Sequence, residues 1–487
     1  MIPEPARSRV MESEIRIPGP DNLIECKESL IEGMMNCWYE YIPSSYNGSK
    51  KLPLVIEIHG GLLDGRRTAA KTGWHFVAEK EEFIVVYPNS LLFEHWLCDE
   101  RDILYLERLI YRICEKYAID TERIYMQGFS NGDVMTQAFA QSKGELLAAA
   151  GFISGPSGKE FLKDTSVVLP VIQMRGEKDV LNGGENWEEN PYEVRDELNE
   201  LNRSFWLKAN RTCTIPEVYI WGKHNMARYA GCADVIFYEV KDVPHKETVE
   251  LPQIFWDYCY SRYCRKEKEI VELKPFSEPM CHKVFVLAVG SEKVWRQEGC
   301  ISMAEESNAR VMYIQPQTNS PVHMALESDC NHQRAVYAPI TLLDKVFPVE
   351  VQISGGGERA EVIWKDGNKL IFGNGMEAVF KNNNLEGMNK PALYYCGIFY
   401  IPIEEVLETW FSMRISKLDD VLYCSSNYAR LAHGTAEILR KQLGGVRLCQ
   451  PEKIGTGCFS ADKQFSVRDR YCVPRRIQQP PAFWQHF

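Results

Sequence analysis

A G-x-S-x-G motif lies between a strand-like run and a helix-like run, and this arrangement restricts the fold more than any other feature of the chain. The strand is Ile124–Met126, the motif is Gly128-Phe-Ser-Asn-Gly132, and the helix is predicted over residues 133–141. Such a tight turn crowds its neighbours, so a Cβ at either glycine would clash. The turn is expected to lift the Ser130 hydroxyl clear of a sheet, and we interpret Ser130 as a nucleophile rather than a structural turn residue.

Apolar runs typical of buried strands alternate with amphipathic helices throughout the first half of the chain. The predicted helices cover residues 68–81 and 102–117. The predicted strands cover residues 52–58, 83–87, 124–126, 148–153, 167–174 and 234–240. Because strands that are apolar on both faces must be covered on both faces, this pattern predicts an α/β fold with a doubly wound, mostly parallel sheet.

The second half of the chain has a different character and is predicted to be an α+β accessory region. Residues 336–340 (Val-Tyr-Ala-Pro-Ile) match residues 399–403 (Phe-Tyr-Ile-Pro-Ile), and a helix-like pattern follows each, which favours a tandem duplication over chance. The predicted organisation is an N-terminal extension, a first domain, a charged linker, the accessory region and a tail that is a loop or strap. Their bounds are 1–21, 22–265, 266–272, 273–449 and 450–487.

Charge and hydropathy exclude several classes of function. The chain of 487 residues has 56 Lys and Arg against 67 Asp and Glu, so its formal charge of −11 argues against nucleic-acid binding. It has no apolar run of about 18 residues, so a membrane role is not expected. The first 16 residues lack the apolar core of a signal peptide, which slightly favours a cytoplasmic location over secretion with a removed leader.

The 16 cysteines are spread singly along the chain without a C-x-x-C pair. Structural zinc sites and redox dithiols usually contain such close pairs, so we predict no metal site and no redox site. Buried thiols in a reducing compartment are favoured over structural disulfides.

An oxyanion formed at Ser130 needs backbone donors, and the sequence suggests where they lie. The run His59-Gly60-Gly61 ends an early strand, where the second donor of such a site is expected. We predict that the amides of Asn131 and Gly61, or of Leu62 as the alternative to Gly61, meet the carbonyl oxygen. His59 is interpreted as a packed, hydrogen-bonded loop residue and not as a base.

A serine hydroxyl also needs a base, oriented by an acid, and in chain order the base comes last. His245 follows a late strand and is favoured as the base over His224, which precedes that strand. Asp179 lies in the turn after the strand at residues 170–174 and is favoured as the acid. Glu177 and Asp234 are the alternatives, and Asp234 is interpreted as a surface or ladder residue.

With these residues in place, residues 22–265 resemble the α/β-hydrolases of the polyhydroxybutyrate-depolymerase-like esterase group, close to the feruloyl and acetylxylan esterases of carbohydrate esterase family one. The segments that carry the resemblance are His59–Gly61, Glu82–Pro88, Asp102-Ile103, Ile119–Tyr125, Gly128–Gly132, Arg175–Asp179 and His245 before Trp256. The resemblance implies Ser130 as nucleophile, Asp179 as acid and His245 as base. It also implies that the reaction needs neither metal nor organic cofactor.

Two positions depart from the family pattern. Asp133 stands where the family often has a small residue, so its carboxylate would either disfavour acidic substrates or cap the helix. The turn that carries His245 lacks the usual Gly and Trp-Pro pair. These departures concern the substrate more than the mechanism.

The accessory region faintly resembles copper amine oxidase N-terminal-like repeats, through the Tyr-x-Pro-Ile units at Tyr337 and Tyr400. No copper site is expected, because the histidines are scattered and are interpreted as surface residues. They are His282, His323, His332 and His433.

The sequence therefore predicts a serine carboxylic-ester hydrolase that acts through an acyl-enzyme. Feruloyl or acetyl esters of plant polysaccharide are the expected substrates, with polyhydroxyalkanoate oligomers as the alternative within the class. A peptidase or acyltransferase using the same three residues, and a non-catalytic binding scaffold, are the alternatives from other classes. The partner is expected to be an ester, either small or polymeric, with no nucleic acid or membrane involved.

Overall fold

A ten-stranded mixed sheet organises the first half of the chain in the computed structural model, which describes residues 20–92, 94–179, 191–279, 283–303, 309–314 and 335–444. The strand order is β1-β2-β4-β3-β5-β6-β7-β10-β9-β8. The strands are β1 (Ile24–Ile31), β2 (Met34–Tyr41), β3 (Leu52–Ile58), β4 (Ile84–Pro88), β5 (Ile119–Phe129), β6 (Ala149–Ile153), β7 (Val171–Gly176), β8 (Glu217–Trp221), β9 (His224–Tyr229) and β10 (Val235–Val240). The six central strands, β4-β3-β5-β6-β7-β10, are parallel. Antiparallel strands flank them on both sides. The parallel centre confirms the prediction, whereas the hairpins β1–β2 and β8–β9 were not predicted.

Helices cover both faces of this sheet. They are α1 (Gly65–Thr72), α2 (Trp74–Glu81), α3 (Glu100–Lys116), α4 (Asn131–Lys143), α5 (Pro191–Asn210) and α6 (Leu251–Tyr258). Alternate residues of β3 enter different cores: Leu54 and Ile56 pack with α3 and α4, whereas Val55 packs with α1, α2 and α6. The helix predicted over residues 68–81 is in fact two helices, because Gly73 takes a left-handed φ of 74° between them.

Three further antiparallel sheets form the second half of the described chain. The first has the order β15-β14-β13-β26-β25, the second β16-β17-β24-β23, and the third β18-β19-β20-β21-β22. The strands, with the preceding hairpin β11–β12, are β11 (Tyr263–Lys266), β12 (Glu269–Glu272), β13 (Val284–Ala288), β14 (Lys293–Arg296), β15 (Gly299–Ser302), β16 (Met312–Ile314), β17 (Ala335–Pro339), β18 (Val349–Ser354), β19 (Arg359–Trp364), β20 (Lys369–Gly373), β21 (Ala378–Lys381), β22 (Asn384–Gly387), β23 (Leu393–Tyr395), β24 (Ile398–Pro402), β25 (Arg414–Leu418) and β26 (Val421–Ser425). The helices are α7 (Leu342–Val346), α8 (Ile403–Trp410) and α9 (His433–Gln442).

The two segments proposed as a duplication pair with each other. Strand β17 contains Tyr337 and strand β24 contains Tyr400, and the two strands run antiparallel side by side. Each strand is followed by a helix, α7 and α8 respectively. The duplication and the domain bounds remain predictions, although residues 266–272, predicted as the linker, include the turn and the second strand of the hairpin β11–β12. The predicted tail lies outside the described residues.

The accessory region shares a hydrophobic core with the ten-stranded sheet. Trp295 of β14 and Leu439 of α9 are fully buried in the same cluster as Ile220 of β8. At the edge of the large sheet, the side-chain amide of Gln297 bonds both backbone groups of Val218, at 3.1 Å and 2.6 Å. The exposed edge that β8 would otherwise present is thereby covered.

The sequence also led to expectations about the cysteine thiols and about membrane-spanning segments. Eleven of the cysteines lie in the described ranges, and each is a free thiol. Three are buried, four are partly buried and four are exposed, so the predicted burial holds for only some of these thiols. Every helix in the described ranges is too short or too polar to span a bilayer.

Two carboxyl groups meet beneath the turn that follows β10. Glu57 of β3 is fully buried and accepts a hydrogen bond from Gln127 of β5, its neighbour across the ladder. The half-buried Glu247 lies within hydrogen-bonding reach of Glu57. Burial raises the pKa of both carboxyls, and repulsion by Glu247 raises the pKa of Glu57 further. The pair is therefore expected to hold a proton in the folded protein.

We predict that this pair makes the folded protein less stable as the pH rises. The folded state keeps a proton that unfolded Glu side chains lose above about pH 4.3, so the free energy of unfolding falls above that pH. Glu247→Gln supplies a neutral partner, and the loss of stability between about pH 5 and pH 8 should shrink by about 1 kcal/mol, roughly one pKa unit. Urea unfolding at both pH values measures it. The exposed Glu269→Gln is the control, and equal pH dependence in wild type and Glu247→Gln would contradict the prediction.

Candidate active site

Ser130 stands at a strained turn between β5 and α4. Its φ of 55° and ψ of −116° are rarely adopted by a non-glycine residue, and such strain concentrates at functional sites. A Cβ at Gly128 would lie 2.2 Å from the Gly132 carbonyl oxygen, and one at Gly132 would lie 2.3 Å from the Ile58 oxygen. The expected clash at both glycines is thereby confirmed, and the turn needs both of them.

Gly61 lies beside the first residue of α4. A Cβ built on Gly61 would stand 3.8 Å from the Cβ of Asn131, so these two predicted donor residues are neighbours. The amide of Leu62, the alternative donor, already donates to the Glu94 carbonyl oxygen at 2.8 Å. Because the Leu62 amide is already engaged, Gly61 is kept as the predicted donor to the oxyanion.

The side chain of Asn131 fixes the loop between β4 and α3. Its Oδ1 accepts from the Trp96 amide at 2.7 Å, and its Nδ2 donates to the Trp96 carbonyl oxygen at 3.1 Å. The indole of Trp96 donates to the His59 carbonyl oxygen at 3.0 Å. These bonds join the start of α4, the loop and the end of β3 into one unit, which holds Asn131 and Gly61 close together.

His95 lies in this loop and was missed from the sequence. A Cβ on Gly61 would lie 2.9 Å from two atoms of the His95 ring, so the imidazole rests against Gly61. Hydrogen bonds to its neighbours Glu94 and Trp96 hold its backbone on both sides. Chain order placed the base after Ser130, and no motif marks His95.

His59 is a packed, hydrogen-bonded residue, as the sequence predicted. It is fully buried, its Nδ1 donates to the Gly60 carbonyl oxygen at 2.8 Å, and its Nε2 accepts from the Ser90 amide at 3.0 Å. Burial lowers the pKa of its imidazole. A neutral ring with both nitrogens engaged is structural.

Asp179 and His245 are joined by a hydrogen bond. The Nδ1 of His245 lies 2.9 Å from Oδ2 of Asp179, which is nearly buried. The His245 ring lies 4.7 Å, between centroids, from the ring of Phe129, the residue before Ser130. The turns after β7 and β10 thus bring an acid–imidazole pair to the end of β5 where Ser130 stands.

These two turns pack backbone against backbone. A Cβ at Gly176 would lie 2.2 Å from the carbonyl oxygen of Val243, so only glycine allows this approach. The Lys178 amide donates to the same oxygen at 2.8 Å. Main-chain contacts therefore press the two turns that carry Asp179 and His245 against each other.

Two of the three alternatives for the base and the acid, His224 and Asp234, lie elsewhere, whereas Glu177 lies in the same turn as Asp179. His224 of β9 bonds the Tyr238 hydroxyl at 2.5 Å and stacks on Trp221. Asp234 is buried and pairs with Arg228 at 2.6 Å and Arg262 at 2.7 Å. Its interpretation as a surface residue is wrong, because it is the centre of a buried ion-pair cluster. The alternative, a ladder residue, agrees with the hydrogen bond from the Val171 amide of β7 to its carbonyl oxygen at 3.0 Å.

Asp133 does not point toward solvent. Its buried carboxyl accepts from the Gly155 amide at 2.7 Å and from the Gln137 side chain at 2.8 Å. Burial raises its pKa, and the nearby Asp179 raises it further. This carboxyl anchors the loop after β6 instead of capping α4, and the expected effect on acidic substrates stays a prediction.

The interpretation of His433 as a surface residue is also wrong. Its side chain is half-buried, and Nε2 lies 2.7 Å from Oδ2 of Asp196. His282, His323 and His332 lie outside the described residues. Among the described residues, no three His, Cys, Asp or Glu side chains converge on a point that could hold a metal ion.

No protein-family model matches the chain. XynS20E of Neocallimastix patriciarum, a bifunctional acetylxylan esterase/xylanase, is 31% identical over 145 residues, which are 29% of this chain and 21% of that protein. Acetylxylan esterase A of Aspergillus ficuum is 26% identical over 159 residues, 31% of this chain and 52% of that protein. Poly(3-hydroxyalkanoate) depolymerase C of Paucimonas lemoignei is 26% identical over 129 residues, 24% of this chain and 30% of that protein.

Among solved structures, an acetyl xylan esterase from Aspergillus awamori covers 48% of this chain and 97% of its own, with a TM-score of 0.37 and 16% identity. A TM-score of this size does not by itself identify a fold. This chain spans between a fifth and about half of the length of the three curated relatives. None of these proteins supports the resemblance of the accessory region to copper amine oxidase N-terminal-like repeats. What they support is similarity, at low identity and over about a quarter to a third of this chain, to a group of ester-cleaving hydrolases.

Proposed function

We propose that this protein is a serine ester hydrolase of the α/β-hydrolase fold, with Ser130 as nucleophile, His245 as general base and Asp179 as the acid that orients His245. The observation that carries the proposal is the 2.9 Å hydrogen bond between Asp179 and His245, next to the strained turn at Ser130. An acid bound to Nδ1 fixes the imidazole tautomer that leaves Nε2 free to accept a proton.

In the proposed reaction, the Ser130 oxygen attacks the ester carbonyl carbon while His245 takes the hydroxyl proton. The amides of Gly61 and Asn131 donate to the oxyanion that forms on the carbonyl oxygen. The intermediate collapses to an acyl-enzyme as His245 gives its proton to the leaving alcohol. Water then attacks the acyl-enzyme with His245 again as base, which releases the acid and restores the Ser130 hydroxyl. Side chains and water suffice for these steps.

We propose acetyl or feruloyl esters of plant polysaccharide as the substrates. Two of the curated relatives carry acetylxylan esterase in their names, which supports an acyl group borne on a polysaccharide. The depolymerase among the relatives makes hydroxyalkanoate esters the competing substrate within the same chemistry.

Ser130→Ala should fold normally and lose essentially all ester hydrolysis, because no other group would form the acyl-enzyme. The measurement is turnover of a chromogenic acetyl ester, together with mass spectrometry of the adduct left by a fluorophosphonate. Ser142→Ala, an exposed serine on α4, is the matched control and should retain wild-type activity. Near wild-type turnover in Ser130→Ala would contradict the nucleophile assignment. A folded wild type without adduct or turnover would favour a binding scaffold.

A panel of feruloyl, acetyl and hydroxybutyryl esters, with a peptide amide, tests the substrate class. We expect kcat/KM to be highest for acetyl or feruloyl groups on xylan fragments, and at least about tenfold lower for hydroxybutyryl oligomers, a difference of about 1.4 kcal/mol. The Ser130→Ala protein gives the background for each substrate. Preference for the hydroxybutyryl esters would favour the depolymerase alternative, and cleavage of the amide would favour a peptidase.

Gly61→Ala tests the oxyanion donors. The new Cβ would lie 2.9 Å from the His95 ring, so either the ring or the Gly61 backbone must move. Misplacing one donor should lower kcat by about 10²-fold with little change in KM. The double variant Gly61→Ala/His95→Ala removes the clash and should recover at least about tenfold of the lost kcat. Unchanged kcat in Gly61→Ala would show that this amide does not meet the oxyanion.

A further inference from the structure

A segment of the accessory region lies across the end of the ten-stranded sheet where the proposed catalytic turns emerge. We call residues 428–435, which follow β26 and include the first turn of α9, the seam. The Gly222 amide donates to the Tyr428 carbonyl oxygen at 3.1 Å, and the Arg430 amide donates to the Gly222 oxygen at 2.8 Å. The seam is therefore paired, through its main chain, with the turn between β8 and β9.

A fully buried side chain of the large sheet also binds the seam. Asn225 of β9 donates to the Arg430 carbonyl oxygen at 3.0 Å and accepts from the Ala432 amide at 2.9 Å. Since both ends of one amide side chain are used, the seam has a single register on the sheet.

The first turn of α9 is capped by carboxylates from the other half of the chain. The N-cap residue of α9 is Ala432, whose methyl side chain cannot accept a hydrogen bond. Instead Glu177 accepts from the His433 amide and Glu239 from the Thr435 amide, each at 3.0 Å. Carboxylates at a helix N-terminus satisfy free amides and oppose the helix dipole. A Cβ at Gly434 would lie 2.2 Å from the Arg175 guanidinium, so α9 sits tightly on β7.

Glu177 links this helix to both proposed catalytic turns. It precedes Asp179 by two residues, and its nearly buried carboxylate accepts from the Lys241 ammonium at 2.6 Å and the Asp242 amide at 3.1 Å. Asp242 begins the turn that carries His245, with a left-handed φ of 61°. One carboxylate thus ties the acid turn, the base turn and α9 together.

The seam contacts the base turn a second time. The Arg430 guanidinium pairs with the Asp242 carboxylate, which also binds Lys178 of the acid turn at 2.9 Å. This ion pair is half exposed, so little stability is expected from it. Its position, however, lets it restrain the turn that carries His245.

We propose that Glu177 is a positioning residue and that the seam is part of the catalytic scaffold. Through Glu177 and Arg430, the seam holds the two turns so that Asp179 and His245 stay within hydrogen-bonding distance. This inference rests on the proposed function. With this role, the accessory region contributes to the geometry of the catalytic site as well as to the hydrophobic core.

The test uses the full-length chain with Glu177→Ala, Glu177→Gln, Arg430→Ala and Arg430→Lys. Lys441→Ala is the matched control. Lys441 lies near the end of α9, away from both turns, and the substitution removes its ion pair with Glu200 of α5. Active sites are titrated with a fluorophosphonate, and kcat is expressed per titrated site. A loss of folded protein lowers the number of sites, whereas a loss of positioning lowers the rate at each site.

We expect Glu177→Ala to lower kcat per site by about tenfold to 10²-fold, as small misplacements of catalytic groups do, with KM within about threefold. The acid limb of kcat/KM should move to lower pH, because a looser Asp179 stabilises the His245 imidazolium less. Glu177→Gln and Arg430→Ala should show smaller changes in the same direction, and Arg430→Lys should recover most of the loss. Lys441→Ala should match wild type.

Unchanged kcat per site and an unchanged pH profile in both Glu177→Ala and Arg430→Ala would overturn the inference. A second readout needs no turnover: the proton between Asp179 and His245 gives a downfield ¹H resonance. Its loss in Glu177→Ala supports the inference, and its retention at the wild-type shift overturns it. If the wild type neither reacts at Ser130 nor cleaves any ester, the proposed function fails, and this resonance still decides whether Glu177 positions the pair.

Discussion

The backbone of the turn after β7 touches the backbone of the turn after β10 at Gly176, and the geometry of the candidate site depends on this contact. No side chain could fit there, since a Cβ would lie 2.2 Å from the Val243 oxygen. The approach is possible because β7 and β10 are adjacent parallel strands that end at the same edge of the sheet. Asp179 and His245 meet because their turns leave this edge side by side, which is the general reason why parallel sheets carry sites at their carboxyl ends.

Much of this edge could be predicted from local patterns. Strand β3 matches its predicted bounds, because a short run rich in Val and Ile suits a strand that is covered on both faces. Helix α3 matches within two residues, because its apolar spacing is regular. The turn at Ser130 was predictable because two glycines at fixed spacing are a steric requirement. Each of these signals is contained in a short stretch of sequence.

Features that depend on distant contacts were not predictable. The split at Gly73 was missed because helical spacing continues on either side of it, so the apolar pattern shows no break. His95 was missed because it reaches Gly61 only through the loop bonds to Glu94 and Asn131. The burial of Asp234 was missed because its two arginine partners come from different elements. None of these contacts leaves a pattern within one window of sequence.

The boundary between the two halves is a further case, and it bears on how the protein folds. Asn225 and Glu239 are fully buried in the large sheet, yet their amide partners at Ala432 and Thr435 come from the end of the accessory region. Glu239 is also paired with Arg175 inside the sheet, but Asn225 and Glu239 make all of their hydrogen bonds only when residues 428–435 are docked. The first half of the sequence alone gives no reason for polar side chains at these two buried positions. They are explained because the ten-stranded sheet and the accessory region belong to one compact unit.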